Sequence, residues 1–266
     1  MKKRELGLNC CCRSGVDRLT VLEWIKAAGF THTFSHSYRA EEVRALKNKA
    51  DSLGLQFDFL HAPTFDLNNI WLNGDAFLTL KAALEECIDS AAETAIPVVV
   101  MHVSAGKNPP QICDVGLKRF DALVDRAARK NIKIAFENMR KFGNHAYIME
   151  RYETAPNVGF CYDLGHENCF TPNVPYLDLY GKRLLCTHVH DNFGVPTEPD
   201  VWDDLHLLPL DGDLNFKAKL QKLDECGFSG CLMLELKDKY RPAYKDVQAE
   251  AFIFEAFQRA KRLLEL

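Results

Sequence analysis

The sequence has no apolar run longer than about nine residues, the longest lying at 95–103. That is well short of the ~20 needed to cross a bilayer as a helix, so no membrane span is expected. It has no CxxC pair with the spacing of a zinc ribbon. Its ten cysteines are scattered or, at Cys10-Cys11-Cys12, contiguous. Adjacent strand residues point to opposite faces, which suits the triplet poorly for holding one ion. Cys161, Cys186 and Cys231 sit in apolar runs where a small hydrophobe packs well. The cysteines are therefore read as reduced thiols rather than a disulfide framework. No charge of one sign dominates: 33 Lys+Arg against 37 Asp+Glu leave a net charge of −4. Such a balance argues against a surface built to neutralise phosphates, and no nucleic-acid partner is expected. The basic start Met1-Lys2-Lys3-Arg4 leads into no apolar signal core, so a cytoplasmic protein is expected. Linkers and low-complexity stretches are also missing, and one domain over 1–266 is expected.

Alternation is what fills the chain. Short apolar runs at 5–9, 30–34, 56–60, 97–103, 133–137, 158–163, 184–189 and 231–236 read as strands. Between them apolar positions recur every three or four residues, as at 16–28, 40–53, 75–94, 115–130 and about 244–264, and read as helices. Gly29 and Gly54 stand where two of these helices must turn into strands. Eight strands in 266 residues give about 33 residues per unit, the size of a βα repeat. Strict alternation implies a parallel sheet with right-handed crossovers. An open doubly wound sheet would favour a glycine-rich phosphate loop after the first strand, and the segment CCCRSG at 10–15 does not match GxGxxG. The expected fold class is α/β, a closed (β/α)8 TIM barrel. The connection at 191–212 is long and polar, and loops of that length tend to be functional.

Six of the eight strands end in His, Asp or Glu: His61, His102, Glu137, Asp163, His188 with His190, and Glu235. In a barrel these ends open onto one face, the one that carries catalytic residues. A single polar residue closing an apolar strand is more often a hydrogen-bonded structural group. Six converging on one cleft differ, because acids buried together cost several kcal/mol unless cations or protons neutralise them. A divalent metal removes that cost. Glu137, Asp163, His188 and Glu235 offer three oxygens and one nitrogen, a set compatible with Mn, Zn, Mg or Co. His61, His102, His166 and the pair Asp204 and His206 either build additional metal sites or hydrogen-bond a substrate.

With these residues in hand, the sequence resembles the xylose-isomerase-like barrel superfamily, which holds sugar isomerases and epimerases together with the endonuclease IV type of abasic-site nuclease. The resemblance runs from about Leu6 to the last helix. It is carried by Phe136-Glu137-Asn138, by Tyr162-Asp163-Leu164-Gly165-His166 and by His188-Val189-His190-Asp191-Asn192. The segment from Asp204 to Gly212 and the pair Leu234-Glu235 complete it. It implies a metal held by Glu137, Asp163, His188 and Glu235. In the nuclease branch a trinuclear zinc site adds residues matching His61, His102, His166, Asp204 and His206, and all nine positions carry a suitable residue. In the isomerase branch it implies Glu137 and Glu235 as the two catalytic bases. His61, His102 and His166 would then meet substrate, and Arg140 or Lys237 a terminal hydroxyl or phosphate, the alternative for those two being surface salt bridges.

Two segments expected on the rim decide between the branches. Residues 64–73 and 192–213 contain no Lys or Arg, and the second carries several acids, which would repel DNA. Phe65, Trp71, Phe193 and Trp202 would suit a small polyol there, or would cap the barrel mouth against helices. The expected function is a divalent-metal-dependent isomerase or epimerase of a sugar or sugar phosphate, working by proton abstraction and a metal-stabilised enediolate. The alternatives are a zinc-dependent abasic-site endonuclease, a polyol dehydratase that begins with the same proton, or a barrel that binds without turnover. A homo-oligomer is possible, and no interface signal selects its size.

Overall fold

The structure is a computed structural model that describes residues 4–198 and 200–266. Met1 to Lys3, part of the basic start of the chain, and Pro199, inside the long polar connection, lie outside the described residues. Eight strands form one sheet: β1 Leu6–Asn9, β2 His32–Ser35, β3 Gln56–His61, β4 Val98–Met101, β5 Lys133–Glu137, β6 Val158–Asp163, β7 Leu184–His188 and β8 Leu232–Leu234. Neighbours are parallel and follow the order β7-β6-β5-β4-β3-β2-β1-β8. Val189 closes the ring one residue past β7. It bridges to Leu234, its N–H donates to the Met233 carbonyl at 2.8 Å, and its own carbonyl accepts from Glu235 N–H at 3.1 Å. The fold is a (β/α)8 TIM barrel.

The helices are α1 Arg18–Ala28, α2 Ala40–Ser52, α3 Leu78–Glu93, α4 Asp114–Arg129, α5 Phe142–Arg151, α6 Leu164–Phe170, α7 Tyr176–Tyr180, α8 Phe216–Glu225, α9 Pro242–Lys245 and α10 Ala249–Leu263. Their apolar faces follow from spacing: in α4 Leu117, Phe120, Leu123, Val124 and Ala127 are buried against the barrel while the residues between them meet water. Asp17 caps α1 by accepting from Thr20 N–H, and Gly29 ends it at φ 111°. Among the described residues no helix is long and apolar enough to cross a membrane. Inside the ring a plug of Phe34, Phe59, Val100, Ala135, Cys161, Cys186, Cys231 and Met233 fills the lower barrel. All ten cysteines are free thiols.

Three expectations need correction. The helix expected at 75–94 opens as a 3-10 turn, Asp75–Phe77, before α3. The one expected at about 244–264 is broken, because the carbonyls of Tyr244 and Val247 turn outward to accept from the Arg13 guanidinium at 2.7 and 2.8 Å. Trp71 does not stand on the rim. It is buried, its Nε1–H donates to Val103 O at 2.9 Å, and its ring presses on Gly116, where a Cβ would not fit. Phe65, Phe193 and Trp202 are exposed, and Trp202 stacks on Tyr240 with centroids 5.7 Å apart.

Candidate metal centre and active site

Each donor reaches the mouth because its strand has just ended. His61, Glu137, Asp163 and His188 are the last residues of β3, β5, β6 and β7, and Glu235 follows β8 directly. Asp163 also caps α6, accepting from His166 N–H at 2.6 Å, which fixes the turn that brings His166 back over the barrel. Beneath them lies the apolar plug, with the Phe34 ring stacked on His188 at 5.1 Å. The floor of the site therefore has low dielectric, and every charge above it needs a partner.

The donors fall into three groups. His61 Nε2, His102 Nε2 and Glu137 Oε2 form a triangle with edges of 3.1, 3.1 and 3.3 Å. The other oxygen of Glu137 belongs to a second group. There His188 Nδ1 lies 3.3 Å from Glu137 Oε1, 3.3 Å from Glu235 Oε2 and 3.7 Å from Asp163 Oδ2. The third group, toward the long connection, holds His166, Asp204, His206 and His190. Two donors ~2.0–2.2 Å from one cation at the tetrahedral angle stand roughly 3.3–3.6 Å apart, close to these separations.

Whether these residues fit a cation is tested by their unmet atoms. Glu137 Oε1, Asp163 Oδ2, His188 Nδ1 and Asp204 Oδ1 are buried and have no hydrogen-bond partner. Such orphans are rare in folded proteins and collect where an ion belongs. The imidazoles are also oriented from behind. His61, His166 and His206 each donate Nδ1–H to a backbone carbonyl, of Ala62, Asn138 and Glu235, at 2.9, 3.1 and 2.8 Å. Their bare Nε2 atoms thus face the groups, the arrangement that metal-ligating histidines use. The donor set fits divalent cations.

The electrostatics agree. Burial pushes Glu137 up, but the imidazoles of His188 and His102 outweigh it and hold the carboxyl well below its usual range. For Glu235 burial is likewise outweighed, by Lys237, His206 and His188. Burial brings His61 down to about 4, so it is neutral and able to ligate at neutral pH. In His188 burial is overcome by Glu137 and Glu235, which raise it to about 9. The carboxylates of the mouth demand positive charge.

Of the residues expected at the site, Lys237 reaches its edge, with Nζ 2.7 Å from His206 Nε2 and 3.7 Å from Glu235 Oε1. Arg140 is turned to a salt bridge: its guanidinium grips the Asp203 carboxylate with both nitrogens and lies 3.7 Å over the Phe170 ring. His190, seen at the strand end but given no role, lies fully buried in the third group. His36 was missed. Its Nε2 is 2.9 Å from Glu235 Oε1, its Nδ1 3.0 Å from Cys11 Sγ, and its ring stacks on His61. The signal was there, since β2 runs one residue past its expected end at 34 and His36 then obeys the same strand-end rule.

Residues 22–256 match the family described as xylose isomerase-like TIM barrel, and the chain belongs to that family. An uncharacterised protein of Sinorhizobium fredii is 33% identical over 237 residues, 74% of this chain and 74% of its own. Inosose isomerase of Bacillus subtilis is 30% identical over 148 residues, 53% of this chain and 50% of its own. The solved structure of D-psicose 3-epimerase with D-tagatose from Clostridium cellulolyticum H10 superposes with a TM-score of 0.76 over 98% of this chain and 99% of its own. At 12% identity that likeness is one of fold.

Proposed function

We propose that the chain is a divalent-cation-dependent isomerase or epimerase of a small sugar or polyol, with or without a phosphate. The observation that carries this reading is the pair of carboxylates Glu137 and Glu235, each with an oxygen 3.3 Å from the same buried imidazole nitrogen of His188. Glu137, Asp163, His188 and Glu235 would hold the cation, which when bound supplies Lewis-acid polarisation of a carbonyl and its neighbouring hydroxyl. The carboxylate-rich group suits Mn, Mg or Co, and zinc as well.

The chain's own residues do the rest. Glu137 and Glu235 come from strands three apart around the ring, so a substrate between them can offer a different face to each. One carboxylate takes the proton from the carbon beside the carbonyl, and the other side returns one. His36 holds Glu235 Oε1 and fixes the orientation of that carboxylate. His61 and His102 flank Glu137 within reach of substrate oxygens, and the Lys237 ammonium meets a terminal hydroxyl or phosphate. The apolar plug below keeps water from the reacting carbon.

A second reading, the abasic-site nuclease, is favoured by one observation: all nine donors are present and fall into three groups. Against it, the connections 64–73 and 192–213 hold no Lys or Arg to follow a phosphate backbone. A dehydratase would share the first proton transfer. The test is deuterium uptake from solvent into a panel of ketoses and polyols. Wild type exchanges, and Glu137→Gln and Glu235→Gln lose ~10³-fold or more while keeping native circular dichroism. Full exchange in either variant would refute the assignment of bases, and efficient, salt-sensitive incision of abasic duplex DNA would put the nuclease reading first.

A further inference from the structure

The three contiguous cysteines of the sequence take no part in the reaction, and the fold does not treat them alike. Cys10 and Cys12 are fully buried, whereas Cys11 between them is partly exposed. It opens on a cavity of about 210 Å³ at the edge of the mouth, lined also by Ser14, His36, Lys237 and Lys239. Cys11 Sγ lies 3.0 Å from His36 Nδ1 and accepts from Asn9 Nδ2 at 3.5 Å. The other nitrogen of the His36 ring is 2.9 Å from Glu235 Oε1. A thiol beside an imidazole that a carboxylate orients is the arrangement that makes sulfur nucleophilic. Two further cysteines are partly exposed, Cys113 and Cys226, and their surroundings work the other way. Each donates its S–H to a backbone carbonyl, of Trp71 at 3.0 Å and of Leu223 at 3.3 Å, which favours the thiol over the thiolate. The seven remaining cysteines are buried.

We propose that Cys11 is a modification site: a small disulfide entering the cavity exchanges with it, and the mixed disulfide disables the mouth through His36. In the exchange the Cys11 thiolate attacks one sulfur of the disulfide RSSR. A new S–S bond to Cys11 forms as the old one breaks. Cys11 is oxidised, and the half that leaves as RS⁻ is reduced and takes a proton from water. Burial pushes the Cys11 thiol up, but the charge of His36 and its hydrogen bond outweigh burial and bring it from an ordinary 9.0 to about 7. At pH 7 about half is then thiolate against ~1% of an ordinary thiol, which after the accompanying loss of nucleophilicity leaves Cys11 ~5-fold faster. The tethered group then sits against His36 and Lys237, the two side chains that meet Glu235 Oε1. With its sulfur partner bonded elsewhere, the His36 ring is no longer held from behind.

The effect on turnover rests on the reaction proposed above, and the modification itself does not. The full chain is treated with hydroxyethyl disulfide at pH 7, and the adduct is located by peptide mass mapping at successive times. Cys11 carries the first adduct, ~5-fold or more ahead of Cys113 and Cys226, and dithiothreitol removes it. His36→Asn, with native circular dichroism, keeps the thiol but slows its reaction to the rate of those two. In wild type the NMR signals of the His36 ring move on modification, a readout that needs no turnover. Deuterium exchange into substrate falls ~10-fold or more and returns with reductant, while Cys11→Ser, treated alike, keeps its own untreated rate. A first adduct on Cys113 or Cys226, or a thiol in His36→Asn as fast as in wild type, would overturn the modification site. Unmoved His36 signals, or full exchange by the Cys11 adduct, would overturn the coupling to the mouth. A chain that exchanges no substrate before treatment would sink the proposed reaction alone, since the mapping and the His36 signals still decide both parts.

Discussion

At the mouth of the barrel Glu137, Asp163, His188 and Glu235 are at most 3% exposed and face one another across a few ångströms. At the opposite end Asp58, on β3, is only part-buried and has Gln56 beside it: its Oδ1 has no hydrogen-bond partner and the nearest imidazole nitrogen, on His32, is 3.9 Å away. The apolar plug separates the two ends. Both ends take carboxylates out of water, fully at the mouth and in part at the floor, and they meet the cost differently. At the mouth, imidazoles and lysine hold the acids ionised. At the floor, burial pushes Asp58 up to about 7, so the acid holds its proton well into the range where an ordinary carboxyl is ionised. Burial of an acid is therefore no sign of function by itself. The sign is several orphaned donors aimed at one point.

Removing divalent cations breaks this contrast most strongly. Zinc held ~1,000-fold above its dissociation constant should stabilise the folded chain by about 4 kcal/mol per site, read as a shift of the denaturation midpoint with and without chelator. Glu137→Gln should lose most of the shift that the first two groups supply. A midpoint indifferent to zinc would mean that the mouth does not gather its donors for a cation.

The floor is tested by pH. Asp58 is raised in the folded chain from an ordinary value of about 4 in the unfolded one. Between pH 4 and 7 the unfolded state therefore releases a proton that the folded state retains. Stability from this group is fully present below pH 4 and is lost as pH rises through about 7. Asp58→Asn removes that loss. Compared with wild type it should gain up to ~3 kcal/mol at pH 8 and nothing at pH 4, by urea denaturation in a chelator. His32, which burial moves down, titrates in both proteins and largely cancels in the difference. Equal gains at both pH values would assign the effect to packing rather than to charge.

The barrel was legible because parallel strands buried on both faces appear as continuous apolar runs, and their polar ends mark the mouth. Val158–Asp163 and Lys133–Glu137 have the bounds expected for them. What the sequence could not carry is how side chains divide among groups. Nothing in Phe136-Glu137-Asn138 says that the two oxygens of one carboxylate serve two sets of imidazoles, since that depends on rotamers and on strand stagger. Trp71 was hidden for a related reason. An aromatic in a polar loop looks exposed until its partner, Gly116 some forty-five residues later, is seen to leave room for it. The break before α10 depends on Arg13 at the other end of the chain. Local pattern carries periodicity well and long-range pairing poorly.

Arg140 gives the smallest and most discriminating test of the mouth. As a substrate contact it would act through its own charge. As a clamp it would act through Asp203, whose side chain is 3% exposed and lies next to Asp204. Arg140→Met keeps the aliphatic length and the contact with Phe170 while removing the charge, and it leaves Asp203 buried without its cation. The expected cost of leaving that carboxylate without its cation is about 1–2 kcal/mol, read by hydrogen exchange at residues 192–205 rather than by global unfolding. The double-mutant cycle with Asp203→Asn separates the roles. A clamp gives single variants with similar losses and a double variant no worse than either, since both break the same contact. A substrate-binding arginine gives a rise in KM that Asp203→Asn does not reproduce, and the two losses then add.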